Sequence, residues 1–543
     1  MTATLSRARG RTGSRAAGAP LTGTGAMFRL ALRRDRIKLP LWVLGITALV
    51  PRFYGAATTV VAPTPEARYE ATRMVQGSFM KALAGPVFGD TAGTSQQYFL
   101  VAYWVEFLLA AALMSLLLVT RHTRAEEQSG RAELIRAAVV GRHAQLTAAL
   151  LLALAGNAAL ALCTAAAAAA AGFPAGSALL FGASLAAAGL VFGALTAVTA
   201  QVTEHPRGAA GLAGVALAGA WMLRGAGALQ SREGGPLFWL SPIGWPQQTR
   251  VLADERWWPL GLPVLLAGLL VAGAYALAER RDLGASLVAP RPGRATAPAW
   301  VRSPFTLALR LQRAAVGWWA AAYLAVGLVL GAMTGGMLTT DLPVFSAGAD
   351  SGRAWIGLMV FTGSLYTAVF AVLSVLRLRT EEVRGRTGPV LAGPTGRVSW
   401  FGAWLLVSAL AVVVLPAVYG AGLGAGAALS TGDPAYVGEA TRASLVRVPE
   451  MLVLLAVPAA LLGLAPRALG LAWVVLVYSG FVTVLGPYAG LPDWVVDTSV
   501  LSHLPWTPLS ASAPVAMAVL TALAAILTAL GLYGLRRRDL TTG

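Results

Sequence analysis

Long apolar stretches recur about twelve times along these 543 residues, and no other feature narrows the possible folds so far. They lie at 39–59, 97–120, 144–171, 176–202, 208–229 and 259–278, and again at 315–336, 354–376, 400–428, 446–464, 468–486 and 512–534. A segment of roughly 20 predominantly apolar residues crosses about 30 Å of hydrocarbon as a helix. The chain is 12% charged, where soluble domains carry about 25%, and its mean hydropathy is +0.66. The expected fold is an all-α polytopic membrane protein of about 12 transmembrane helices, with little chain left for a soluble domain.

The net charge of +18 does not point to nucleic acid, because the arginines sit in short segments between apolar stretches. About 31 of the 42 Lys and Arg residues fall on one side if the N-terminus is placed in the cytoplasm. That excess puts both termini there. Residues 1–26 are rich in Arg, Gly, Thr and Ala without an apolar core, and read as a disordered cytoplasmic tail rather than a cleaved signal. Cys163 is the single cysteine, so no intrachain disulfide can form. His122, His143, His205 and His503 show no ligand spacing, and no metal is assigned. Between Arg280 and Arg313 stand Pro290, Pro292, Pro298 and Pro304, the composition of a linker. The organisation is read as a first six-helix half at 27–289, a cytoplasmic linker at 290–304 and a second half at 305–543.

The halves resemble each other at three places, in the same order. Phe28 to Arg36 (FRLALRRDR) and Phe305 to Arg313 (FTLALRLQR) agree at six of nine positions, each ahead of its half's first span. After each second span comes R-x-E-E-x-x-G-R, then nine residues, then G-R. The first copy is Arg124, Glu126, Glu127, Gly130, Arg131, Gly141 and Arg142; the second, shifted by 255, is Arg379, Glu381, Glu382, Gly385, Arg386, Gly396 and Arg397. Each half closes on R-R-D-L, at Arg280–Leu283 and Arg537–Leu540. Six spans per half is an even number, so the two repeats run parallel across the membrane.

Taken singly, an arginine at the cytoplasmic end of a span is explained by topology and headgroup contact. The paired glutamates are not, since acidic residues contribute little to orientation and anionic headgroups repel them. Glu127 with Arg131 and Glu382 with Arg386 have the i,i+4 order that supports a helix by about 0.2–0.5 kcal/mol. Ala132, Leu134, Ile135 and Val139 add an apolar stripe in the first copy, giving a short amphipathic element suited to a soluble partner or the interface. In the second copy Glu133 is replaced by Gly388 and Leu134 by Pro389, which predicts a shorter or kinked element.

Six spans per half, this segment between the second and third, and the terminal R-R-D-L resemble the ABC exporter permeases of the type-two membrane-domain class. Within that class the chain resembles the fused twelve-span permeases of actinobacterial polyketide and tetronasin-type antibiotic export systems, from Phe28 to Leu540. The resemblance implies a bacterial plasma-membrane exporter of a small hydrophobic substrate. It also implies that the repeated segment receives movement from nucleotide-binding subunits, through Arg124, Glu126, Glu127, Gly130, Arg131 and Glu133 in one copy and Arg379, Glu381, Glu382, Gly385 and Arg386 in the other. A P-loop needs G-x-x-x-x-G-K-[ST], and the two lysines, Lys38 and Lys81, follow Ile37 and Met80. The chain therefore holds no cofactor of its own; ATP and Mg would bind a separate ABC ATPase subunit, in two copies for two segments.

Within the spans, Glu106 lies mid-helix and Arg52 follows Pro51 at comparable depth, so the two are expected to pair or to line the substrate path, with Arg224 a further candidate. Arg447 and Glu450 are placed at the outer start of the tenth span. Asn157 reads as helix-packing glue. The aromatic, proline-broken stretch from Leu237 to Gln248 reads as interfacial anchoring or an outer gate, with its second copy around His503 to Pro508. Two other functions fit twelve spans. An ion-coupled secondary transporter would need several intramembrane carboxylates, and a polytopic membrane enzyme would need a catalytic cluster that Asp341, Asp350, Asp433, Asp493 and Asp497 do not form.

Overall fold

The computed structural model describes residues 20–58, 62–77, 80–89, 94–130, 140–281, 286–287, 296–338, 351–485, 491–505 and 513–539. The chain divides into two compact units, Met1–Gly293 and Arg294–Gly543. Among the described residues eleven helices are long and apolar enough to cross a membrane, which makes this a multi-pass membrane protein.

In the first unit, helix α1 (Thr24–Arg34) turns at Asp35 into α2 (Lys38–Ala56). Two shorter helices, α3 (Pro65–Gly77) and α4 (Met80–Ala84), lead to α5 (Ser95–His122), which the single turn α6 (Arg124–Gln128) extends. The helices α7 (Ala144–Ala170), α8 (Ala175–Val202), α9 (Pro206–Gln230) and α10 (Gly261–Glu279) follow. The first unit's main core lies chiefly between α5 and α8 and includes an aromatic cluster, where Phe99 and Phe107 meet Phe181 at 6.1 and 5.9 Å. Apolar burial gives little drive for helix association in lipid, so close van der Waals contact and hydrogen bonds must supply it. Gly182 allows this: a Cβ there would sit 2.2 Å from the Ala161 carbonyl oxygen of α7. Asn157 donates to Ser115 Oγ at 2.8 Å, tying α7 to α5, which is the packing role its sequence context suggested.

The second unit comprises α11 (Pro304–Ala332), α12 (Ser351–Val383), the short α13 (Gly388–Leu391), α14 (Arg397–Thr431), α15 (Ala435–Val446), α16 (Val448–Leu464), α17 (Leu471–Leu485) and α18 (Pro514–Arg537). Its α11 and α14 carry facing glycine pairs, Gly327 and Gly331 against Gly422 and Gly426. A Cβ at Gly331 would lie 1.9 Å from the Leu423 carbonyl oxygen, and one at Gly426 2.2 Å from that of Leu328, so the backbones touch.

Three spans depart from expectation, the seventh because α11 begins at Pro304, eleven residues ahead of the hydropathy boundary at 315. The tenth begins eleven residues earlier than the hydropathy suggested, as α15, and breaks at Arg447, where Pro449 in the first turn of α16 removes a backbone donor. The eleventh, α17, is 15 residues long, and residues 486–490 after it lie outside the described part.

Candidate functional site

The repeated motifs converge on one arrangement in each unit. In the first, the Arg281 guanidinium grips Glu127, Nη2 on Oε1 at 2.7 Å and Nη1 on Oε2 at 3.0 Å, while Arg124 Nη1 reaches the same Oε2 at 2.8 Å. Arg124 is fully buried and also donates through Nε to the Ala200 carbonyl; Arg281 Nε donates to Gln201 Oε1 at 2.6 Å. In the second unit Arg538 grips Glu382 at 2.6 and 2.8 Å, with Arg379 3.0 Å from the same carboxylate. The trailing arginine of each G-R then donates to the carbonyl of the gripping residue, Arg142 to Arg281 at 3.1 Å and Arg397 to Arg538 at 2.9 Å. A bidentate arginine–carboxylate pair fixes orientation as well as distance. Two of the three sequence repeats are thus parts of one latch, made between the end of the second span, the start of the third and the end of the last.

This geometry corrects the i,i+4 pairing of Glu382 with Arg386 read from the sequence. Glu382 turns inward to Arg379 and Arg538, and Arg386 instead meets Glu381 at 3.3 Å on the surface. Glu127 likewise serves Arg124 and Arg281; Arg131 and Glu133 lie outside the described residues. The reason is that the chain reverses just beyond each glutamate, at Gly130 (φ 73°) and Gly385 (φ 69°), a left-handed conformation suited to glycine. A continuous helix would be needed to set i and i+4 on one face. Pro389 sits in the first turn of the four-residue α13, where no backbone donor is needed, and residues 131–139 of the first copy lie outside the described part.

Beside the first latch, Glu126 accepts from Arg34 of α1 at 2.5 Å, and buried Asp35 lies 2.5 Å from His122 Nε2 and 3.1 Å from Arg121 Nη1. The position matching Asp35 in the second unit is Gln312. Its amide donates to the Trp404 carbonyl at 3.2 Å and accepts from the hydroxyls of Ser408 at 3.1 Å and Ser374 at 3.3 Å.

Deeper in the first unit, Arg52 and Glu106 do not form an ion pair among the described residues. Phe53 stacks on Tyr103 of α5 at 4.7 Å and meets Phe107 at 6.1 Å, so it holds the α2 face toward α5, and the adjacent Arg52 is turned about 100° away. Glu106 is exposed on the surface of its own unit. Arg224 is fully buried; its Nη2 donates to the Ala82 and Leu83 carbonyls at 2.7 and 2.6 Å and its Nη1 to Gln247 Oε1 at 3.1 Å, clasping α4 to the loop before α10. Lys81 on α4 donates to the Ser231 carbonyl, and burial, with Arg232 nearby, holds its amine below the ordinary lysine range.

The second unit closes the corresponding end with a different pair. Arg447 and Glu450, both fully buried and 2.7 Å apart, hold the Leu501 and Leu504 carbonyls at 3.0 and 2.9 Å and the Leu504 amide at 3.2 Å. The loops themselves match at serines: Ser241 Oγ donates to Ala220 O at 2.6 Å and accepts from Ile243 N, and Ser499 Oγ donates to Ser479 O at 2.9 Å and accepts from Leu501 N. The equivalent of the first loop's serine therefore lies four residues ahead of His503, where the sequence comparison had begun the second copy, and residues 506–508 of that copy lie outside the described part.

A family model described as "Multidrug efflux system permease Rv1217c, C-terminal domain" matches residues 25–277 and 301–536. A Mycobacterium tuberculosis protein described as multidrug efflux system permease protein Rv1217c is 36% identical, over 96% of this chain and 96% of its own length.

Proposed function

Since this chain belongs to the family of multidrug efflux system permeases, we propose that it is the membrane subunit of an ATP-driven exporter and draws its energy from a separate ABC ATPase. The observation that carries this reading is the repeated segment after the second span. Each copy is fastened by buried ion pairs to its own unit, yet presents further residues outward, Gln128 and Ser129 in one and Val383, Arg384 and Arg386 in the other. A segment held rigidly from within and exposed without is suited to receive force from a soluble partner. Two copies suit two ATPase subunits, both segments and both termini facing the cytoplasm, with ATP and Mg bound by the partner. The cargo is a hydrophobic compound, polyketide-type antibiotics among the class, because the spans offer few polar groups with which to select a polar solute.

Glu106 supports a second reading, coupling to an ion gradient, since a carboxylate at bilayer depth is costly unless it faces water or protein. Inside-out vesicles separate the two. ATP with a co-expressed ATPase should drive uptake of a lipophilic dye, and a protonophore should leave uptake unchanged; uptake that needs the gradient and ignores ATP would refute the ATP-driven reading.

A further inference from the structure

The latches bear on how movement would pass through the protein. Arginines that serve topology alone reach for water and headgroups. Arg281 and Arg538 do the reverse: their side chains are 10% and 14% exposed, and each fork is spent on a carboxylate that is itself 7% or 0% exposed. The bonded partners are 154 and 156 residues apart in sequence, so nothing local requires them to meet. The backbone carbonyl of the same arginine is taken by the residue at the start of the third span, Arg142 or Arg397. One residue at the end of the last span is thus bound from two directions, by the segment after the second span and by the third. The arrangement occurs twice, although its surroundings differ: the first latch includes the end of α8 through Ala200 and Gln201, and the second is made by Arg379, Glu382, Arg397 and Arg538.

We infer that Arg281 and Arg538 are positioning residues for transport, joining the segment after the second span and the last span into one mechanical piece, so that displacement of the segment is delivered to the last span. This rests on the proposed ATP-driven reading. The chemistry shared by the two units is a planar fork on both carboxylate oxygens, which an ammonium cannot reproduce in full.

The test uses the full-length chain with its ATPase in vesicles and reads dye transported per ATP hydrolysed, alongside membrane abundance. Arg281→Gln and Arg538→Gln are each expected to lower that ratio about tenfold with hydrolysis retained, and Arg281→Lys to recover a third or more of it. Arg142→Gln removes the second hold while leaving the ion pair, and should lower the ratio two- to threefold even if the Arg281 variants prove unstable. An unchanged ratio, with transport and hydrolysis falling together in step with abundance, would make the arginines merely structural and overturn the inference. Should ATP drive no transport in the unsubstituted protein, the ATP-driven reading fails separately. The same variants are then scored by gradient-driven transport per chain, where loss in the Gln variants and recovery in Lys still support the latch and uniform transport removes it.

Discussion

The two units fasten the same end of their bundles with one shared contact and one that differs. The shared contact is the latch, an arginine fork on a glutamate with a second arginine on the same carboxylate. One helix inward the chemistry parts: Asp35 of the first unit sits among His122 and Arg121, and Gln312 of the second sits among hydroxyls and a backbone carbonyl. The backbone changes with it, because the first unit bends at Asp35 between α1 and α2 where α11 runs straight through Gln312. A bend leaves helix-terminal groups to be satisfied, and Asp35 stands at that break. A continuous helix needs only a neutral tie. The difference teaches that the latch does not depend on the local architecture around it, whereas the neighbouring polar cluster does.

The sharpest way to break this comparison is to remove the group at the bend. Asp35→Ala leaves His122 and Arg121 without their acidic partner and should cost about 3–5 kcal/mol, the range for stripping one member from a buried ionic set. Thermal unfolding in detergent would read it as the largest loss of stability among these variants. A loss no greater than that of Gln312→Ala would mean the bend makes no ionic demand.

Next comes the second arginine of each latch. Arg124 is 0% exposed and engages both Glu127 and the end of α8, whereas Arg379 is 23% exposed beside Glu382. Arg124→Gln should therefore cost about 2–3 kcal/mol, near the upper range for a hydrogen bond to a charged group, and Arg379→Gln about 1 kcal/mol. Equal losses would show that the extra contact to α8 adds nothing. Gln312→Ala follows at about 1–2 kcal/mol, since it breaks neutral bonds and leaves Ser374 and Ser408 able to bond each other.

Much of this was legible in the sequence. The spans follow from apolar length, and the duplicated motifs stand out because polar residues repeat at fixed offsets in an apolar chain. What could not be read was direction. Hydropathy says that Glu127 and Glu382 stand at span ends, but the choice between an i+4 neighbour and an arginine more than 150 residues away depends on the turns at Gly130 and Gly385. The signal was nonetheless present: R-x-E-E and R-R-D-L each occur once per half, and a motif pair repeated together is a candidate for contact. Arg52 and Glu106 illustrate the opposite failure, where similar depth suggested a pair and a one-residue rotation around α2 gave the facing position to Phe53. The glycine pairs of α11 and α14 were also visible as Gly-x-x-x-Gly spacing, a signal for close helix crossing that composition alone submerges among 61 glycines.

The smallest effect on stability tests the outward side of the latch. Arg386 is 58% exposed and its contact with Glu381 is a solvent-screened pair, so Arg386→Ala should alter stability by no more than about 0.5 kcal/mol. If the segment receives an ATPase, the same change removes a charge from the contact face and should weaken ATPase association three- to tenfold, more strongly at low salt because exposed charges act through the ionic atmosphere. Titrating the ATPase against the reconstituted chain measures both the affinity and its salt dependence. Affinity that stays constant would divide the segment differently: its inner glutamate would still fasten the last span, but its outer arginine would have no part in receiving force, and the contact would have to lie elsewhere on the same face.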